Sequence, residues 1–177
     1  MTIRAAVEAD LPELQDIEND AGELFAEIGM LDIAEDEPPS LARLREFADA
    51  GRAWVWVDED DRPVGYLVLG IVDGSAHVEQ VSVRRAFAGR RIGVRLIEYA
   101  ARWAVGRGML DMTLTTFSAV PWNGPYYERL GFRVIPVAVL TPELRAIRAA
   151  EIDAGLDCAP RVAMRAALAD LIGPVAG

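Results

Sequence analysis

At 177 residues, with 52% hydrophobic and 26% charged residues, the chain can bury one substantial core and is too apolar for a disordered segment. Its formal charge of -10 excludes a general nucleic-acid binder, which needs a basic surface, and no apolar run reaches the roughly 18 residues of a membrane helix. One cysteine, Cys158, excludes an internal disulfide, one histidine, His77, leaves no metal-ligand cluster, and all 18 basic residues are arginine, which removes P-loop and Schiff-base lysine chemistry.

In chain order, residues 2–6 alternate as a short strand, and Asp10 is expected to cap a helix that has Pro12 in its first turn and Leu11, Leu14, Ile17 and Ala21 on one face. Residues 18–37 carry eight acidic and no basic residues, and are expected to be irregular in part before a second helix at about 40–50. Three strands follow, at about 53–58, 63–72 and 76–83, joined by the turn signals DEDDRP and VDGS as an antiparallel meander. Ile92, Leu96, Ile97, Ala100 and Ala104 recur at helical spacing, and GRG stops that helix before a strand at 111–117 that can lie parallel to the one at 76–83. A short helix in WNGPYYERLGF, a strand in RVIPV, a capped helix in TPELRAIRAAEIDAGL and a last strand or mixed segment in RVAMRAAL complete a mixed α/β domain.

The chemistry concentrates where the strand at 76–83 enters a basic, glycine-containing turn and then a helix. Unpaired backbone N–H groups and the positive end of the helix macrodipole meet there, which suits a phosphate. Gly89 and Gly93 allow close backbone approach, and Arg84, Arg85, Arg90, Arg91 and Arg95 add charge. The turn alone fits a solvated helix start equally well. It has neither a Walker A loop nor a dinucleotide glycine pattern, and a kinase-like reading lacks both the lysine and a metal-binding carboxylate motif.

Set between HVEQVSV and TLTTF…WNGPYYERLGF, the turn resembles the acyl-CoA-binding motif of the GNAT superfamily of N-acetyltransferases. The family pattern (Gln or Arg, any two, Gly, any one, Gly or Ala) falls on Ala88, Gly89, Arg90, Arg91, Ile92 and Gly93; Ala88 replaces the Gln or Arg and Arg91 the first glycine. A second signature, Tyr-x-x-x-Gly-Phe, falls on Tyr127, Gly131 and Phe132, after Asn123 on the turn. The resemblance covers most of residues 1–136. It implies a single α/β domain over 1–177, with a mixed, mostly antiparallel central sheet flanked by helices, core motifs at 76–136 and a C-terminal helix and last strand at 137–177. It further implies acetyl-CoA as cosubstrate and no metal, with pyrophosphate on the N–H groups of residues 89–94 and pantetheine along Val81, Ser82 and Val83. Ala88, Gly89, Arg90, Arg91, Ile92, Gly93, Val94, Asn123 and Tyr126 are the other cofactor contacts expected.

An amine acceptor must lose a proton before it attacks a thioester, so a base is needed. His77 and Glu79 are two apart on the strand and share a face with Val81 and Val83; Glu79 is the first candidate, with His77 as alternative or partner. Tyr127 matches the family tyrosine that protonates the leaving thiolate. Cys158 has no evident base and reads as an inert, partly buried thiol. The acidic segment either draws a cationic acceptor through Glu23, Glu27 and their neighbours or is a solvated face, and Phe25, Met30, Trp54 and Trp122 form an apolar wall or simply core. The expectation is a cytoplasmic N-acetyltransferase acting on a small amine, an amino acid, an aminoglycoside-like compound or a protein N-terminus, with no membrane or nucleic-acid partner. A homodimer and a non-catalytic acyl-CoA sensor stay open.

Overall fold

The computed structural model describes residues 2–173; the outermost residues of the expected 1–177 domain lie outside the described residues. The chain runs β1 (Thr2–Ala5), α1 (Leu11–Glu27), α2 (Leu31–Ala34), α3 (Leu41–Asp49), β2 (Ala53–Val57), β3 (Pro63–Val72), β4 (Ser75–Val83), α4 (Ile92–Val105), β5 (Asp111–Phe117), α5 (Gly124–Arg129), β6 (Arg133–Val134), α6 (Pro142–Asp153), β7 (Arg161–Ala167) and α7 (Leu168–Leu171). The strands are ordered β1-β2-β3-β4-β5-β7-β6 in one sheet. Pairing is antiparallel for β1 with β2, β2 with β3, β5 with β7 and β6 with β7, and parallel for β4 with β5; of these the sequence pattern predicts the β2–β3 and β4–β5 pairings. The described residues divide into two compact units, residues 2–69 with 80–97, and residues 70–79 with 98–173.

In the first unit, Leu11, Leu14 and Ile17 of α1 and Leu44 and Phe47 of α3 bury against Val55, Val57, Tyr66 and Val68 of β2 and β3. Each such fully buried side chain contributes about 1.5–3 kcal/mol. Asp10 occupies the N-cap position of α1, yet its side chain does not cap that helix. Its Oδ2 instead accepts from the Val7 N–H at 2.8 Å, and both carboxylate oxygens take the Arg4 guanidinium. The acidic segment is more regular than expected, because α1 extends through Glu27. It stops where Gly29 turns left-handed (φ 80°) and the Met30 N–H reaches the Phe25 carbonyl at 2.9 Å, the closing bond of a Schellman motif.

In the second unit, Asp73 and Gly74 both have positive φ (48° and 78°), the conformation of a type I′ hairpin turn between β3 and β4. Asp73 has a second task. Thr141 stands at the N-cap of α6 without a side-chain capping bond, and Asp73 Oδ2 takes its place by accepting from the Glu143 and Leu144 N–H groups at 3.1 and 3.3 Å. Glu143 Oε2 accepts from the Asp73 N–H in return, at 2.5 Å, so a hairpin and a helix cap each other. Val72, Leu140, Leu144 and Ala163 form the small core beneath. The RVIPV strand is only two residues long, since Pro136 leads into a 3-10 turn at Val137–Val139, and the mixed C-terminal segment resolves into β7 followed by the single turn of α7.

Candidate functional site

Residues 80–97 of the first unit hold the end of β4, the basic turn and the start of α4. Gly89 (φ 75°) and Arg91 (φ 61°) are both left-handed, which folds the chain back so that α4 opens at Ile92. The first N–H groups of α4 have no partner within the helix. A Cβ built on Gly89 meets nothing within 4 Å, so the turn faces open space. Arg91, standing where the resembled pattern has glycine, keeps glycine's backbone conformation at a cost of about 1–2 kcal/mol.

The five arginines do not form one pocket. Arg84 pairs with Glu13 of α1. Arg85 faces Asp20, Glu23 and Glu27 of the same helix, and its N–H donates to Asp20 Oδ2 at 2.7 Å. These two clamp the acidic helix to the turn, which accounts for part of the acidity of residues 18–37. Arg90 stacks on Phe87, with Cζ 4.8 Å from the ring centre. Among the described residues no ion pair engages Arg90, Arg91 or Arg95, so three arginines supply the charge that an anion can use.

The catalytic candidates and the turn at 122–127 belong to the second unit. His77 is buried, 2% exposed, with Nδ1 2.8 Å from Thr113 Oγ1 on the paired strand β5. Burial pushes its pKa down from 6.5 to about 4, against the opposing charge of Glu151. The imidazole is therefore neutral at neutral pH and does not titrate near 6.5. Glu79, two residues on, is exposed, and its side chain lies over Gly70 of β3, where a built Cβ would come within 2.3 Å of Oε1. Tyr127, 9% exposed, packs edge-on against Tyr126 and Phe132 with ring centres 5.2 and 5.7 Å away. Its N–H donates to the Asn123 carbonyl at 3.0 Å, and its own carbonyl takes the Phe132 N–H. Gly124 permits this turn, since a Cβ there would sit 2.4 Å from the Ser118 carbonyl oxygen. Asn123 Oδ1 is buried without a hydrogen-bond partner. Trp122 is half-buried here; in the first unit Trp54 is core, and Phe25 and Met30 are half-buried. Cys158 is exposed, contrary to the partly buried thiol expected, because Gly155 starts a surface 3-10 turn at Leu156–Cys158. Among the described residues no group of three or more His, Cys, Asp or Glu is placed to hold a metal, and no helix is long and apolar enough to cross a membrane.

Residues 11–132 match the acetyltransferase (GNAT) family along their whole span. The chain belongs to the GNAT acetyltransferase family. Solved structures agree on the fold. An acetyltransferase of the GNAT family from Staphylococcus aureus Mu50 superimposes with a TM-score of 0.71 at 15% identity, covering 94% of this chain and 98% of that one. The PaiA N-acetyltransferase of Thermoplasma acidophilum, solved with coenzyme A, gives 0.70 at 16%, covering 94% and 98%. The ribosomal-protein-S18-alanine N-acetyltransferase of Escherichia coli gives 0.65 at 16%, covering 94% and 93%.

One polar group of this GNAT chain escapes a search by motif. Glu18 follows Leu11 by seven residues and Leu14 by four, so it lies on the buried face of α1. Its Oε1 accepts from Gln80 Nε2 at 2.6 Å, and its Oε2 from the hydroxyls of Tyr66 and Ser82 at 2.8 and 2.7 Å. Burial pushes the Glu18 carboxyl above the usual carboxylate range, while the three hydrogen bonds, from Ser82, Tyr66 and Gln80, pull it back. Tyr66 is raised well above its ordinary value by its own burial and by the Glu18 charge. A carboxylate at the helical repeat of an apolar stripe was the signal available.

Proposed function

We propose that the chain transfers an acetyl group from acetyl-CoA to an amine by direct attack within a ternary complex. The observation that carries this reading is the turn at 88–93, whose two left-handed residues present the N-terminus of α4 to open space despite the loss of the family glycine at Arg91. The N–H groups of residues 89–94, with Arg90, Arg91 and Arg95, would hold the pyrophosphate. Val81, Ser82 and Val83 would offer backbone to the pantetheine chain, with an N–H near Val81 polarising the thioester carbonyl. Asn123 Oδ1, a buried acceptor without a donor, suits a ligand amide N–H, and Tyr126 stays a contact of the same turn. The bound thioester supplies the activated acetyl group.

Glu79 is the base in this reading. It is exposed, and as a carboxylate it can attract a cationic amine before taking its proton, directly or through water. His77, neutral and bonded to Thr113, supports the strand. Tyr127, matching the family tyrosine, would hold the proton that the departing thiolate takes. The acceptor class comprises small amines, amino acids, aminoglycoside-like compounds and protein N-termini.

Calorimetry with acetyl-CoA should show binding by the wild type that weakens with salt and is lost in Gly93→Glu, which puts a side chain and a negative charge at the pyrophosphate. Thiol release with a panel of amines should then report turnover that falls about 10²-fold in kcat/KM in Glu79→Gln and drops in kcat, with affinity kept, in Tyr127→Phe. Binding without turnover on any amine would favour a non-catalytic acyl-CoA sensor. No binding would overturn the reading.

A further inference from the structure

The end of β4 is held on both sides within the first unit. On one side Gln80 and Ser82 point at Glu18, and Gln80 Nε2 also reaches Ser82 Oγ at 3.0 Å, so four side chains from α1, β3 and β4 close one network. On the other, Gly65 of β3 leaves no spare room. A Cβ built there would be 3.0 Å from Ile92 Cγ2, 3.2 Å from the Ser82 carbonyl oxygen and 3.2 Å from Val83 Cγ2. The strand continues in register for one more bond, the Arg84 N–H to the Val64 carbonyl at 2.9 Å.

A carboxylate on the apolar stripe of α1 is costly to desolvate, and a leucine there would pack without that cost. What the carboxylate does that a leucine cannot is accept three hydrogen bonds at once and thereby fix two alternate residues of one strand. As a carboxylate Glu18 accepts from all three donors, two on Oε2 and one on Oε1.

We propose that Glu18 is a positioning residue for cosubstrate binding: it holds the Gln80–Val83 segment of β4 in the conformation that receives acyl-CoA. The inference rests on the reading that Val81–Val83 carry the pantetheine. A strand end that offers its backbone to a ligand binds best when it is already straight, because ordering it on binding costs affinity. Glu18 acts through Gln80 and Ser82, whose side chains lie on the α1 side, while the intervening Val81 alternates to the opposite one.

Two variants separate positioning from mere stability. In Glu18→Gln the hydroxyls of Tyr66 and Ser82 can turn to accept from the new amide while its carbonyl accepts from Gln80, so the network closes without charge. In Glu18→Leu it is gone. Acetyl-CoA affinity by calorimetry should weaken about tenfold or more in Glu18→Leu and no more than about threefold in Glu18→Gln. Amide exchange of residues 80–84 should speed up in Glu18→Leu only. Should Glu18→Leu not fold, Gln80→Met, which removes one donor at constant volume, takes its place with an expected loss of about threefold or more. A folded Glu18→Leu, or failing it Gln80→Met, with wild-type affinity and wild-type exchange at 80–84 would overturn the proposal while leaving the acyl-CoA reading intact. A wild type that binds no acetyl-CoA would overturn both.

Discussion

The sole histidine of the chain gives a sharp test of the second unit. His77 is buried beside Thr113, and burial holds it at about 4 where a free imidazole sits at 6.5. The folded protein therefore binds the proton later than the unfolded chain as pH falls. Above 6.5 both states are neutral and the group contributes no pH dependence. Between 6.5 and about 4 the unfolded chain takes up the proton and the folded one does not, so stability drops as pH falls through this window; below it both are charged and the loss is complete. At about 1.36 kcal/mol per pH unit, that gap corresponds to about 3 kcal/mol. His77→Gln keeps a hydrogen-bonding side chain for Thr113 but cannot titrate. Denaturant unfolding of both proteins from pH 7.5 to 4 cancels the carboxylates they share, and the wild-type stability should fall relative to the variant by about 3 kcal/mol across the series. Imidazole resonances need no assignment in a chain with one histidine. An imidazole that titrates near 6.5, or a stability difference flat with pH, would refute the argument. The same displacement means that an acidic limb near pH 6.5 in kcat/KM would not come from His77.

Gly70→Ala should push the Glu79 carboxylate away from its seat, because the new Cβ would come within 2.3 Å of Oε1, yet the flexible exposed side chain can move. The fold should survive while kcat falls by about 10-fold to 10²-fold, and unaltered kcat in steady-state assays would count against Glu79 as base. Arg91→Gly should leave stability within about 1 kcal/mol of wild type, since relief of the left-handed strain offsets the added freedom of the unfolded chain. Arg91→Val should lose more than Arg91→Ala in chemical denaturation, as a β-branched residue fits φ 61° worst. Gly124→Ala should destabilise by about 1–3 kcal/mol, because the new Cβ meets the backbone of Ser118 rather than a movable side-chain tip, and a thermal melt within a degree of wild type would contradict that.

Local chemistry was legible where local rules decide. β5 begins and ends at 111 and 117 as its alternation predicts, β3 matches 63–72, and Asp73-Gly74 reads as a hairpin from two letters. The turn at 88–93 was found through its glycines and flanks even with Arg91 out of pattern. Partners were not legible when they come from far along the chain. Arg84 and Arg85 count as anion-binding charge until the distant face of α1 is placed against them. Glu18 meets Ser82 across 64 positions, and nothing in the spacing of either residue names the other. His77 and Glu79 share a strand face by periodicity, but only the pairing of β4 with β5 shows one covered and the other open.

The reciprocal cap between Asp73 and Glu143 also bears on the order in which the chain assembles. The start of α6 is completed by a residue 70 positions upstream, so it gains its bonds only after a loop of that length has closed, against an entropy that grows with the logarithm of its span. The type I′ hairpin, by contrast, closes through neighbours and can form within about 1–10 μs. Synthesis proceeds from the N-terminus, so the hairpin segment is made before α6. Residues 142–153 on their own lack the Asp73 acceptor that the Glu143 and Leu144 amides use, so the start of α6 gains those bonds only once the β3–β4 turn is in place.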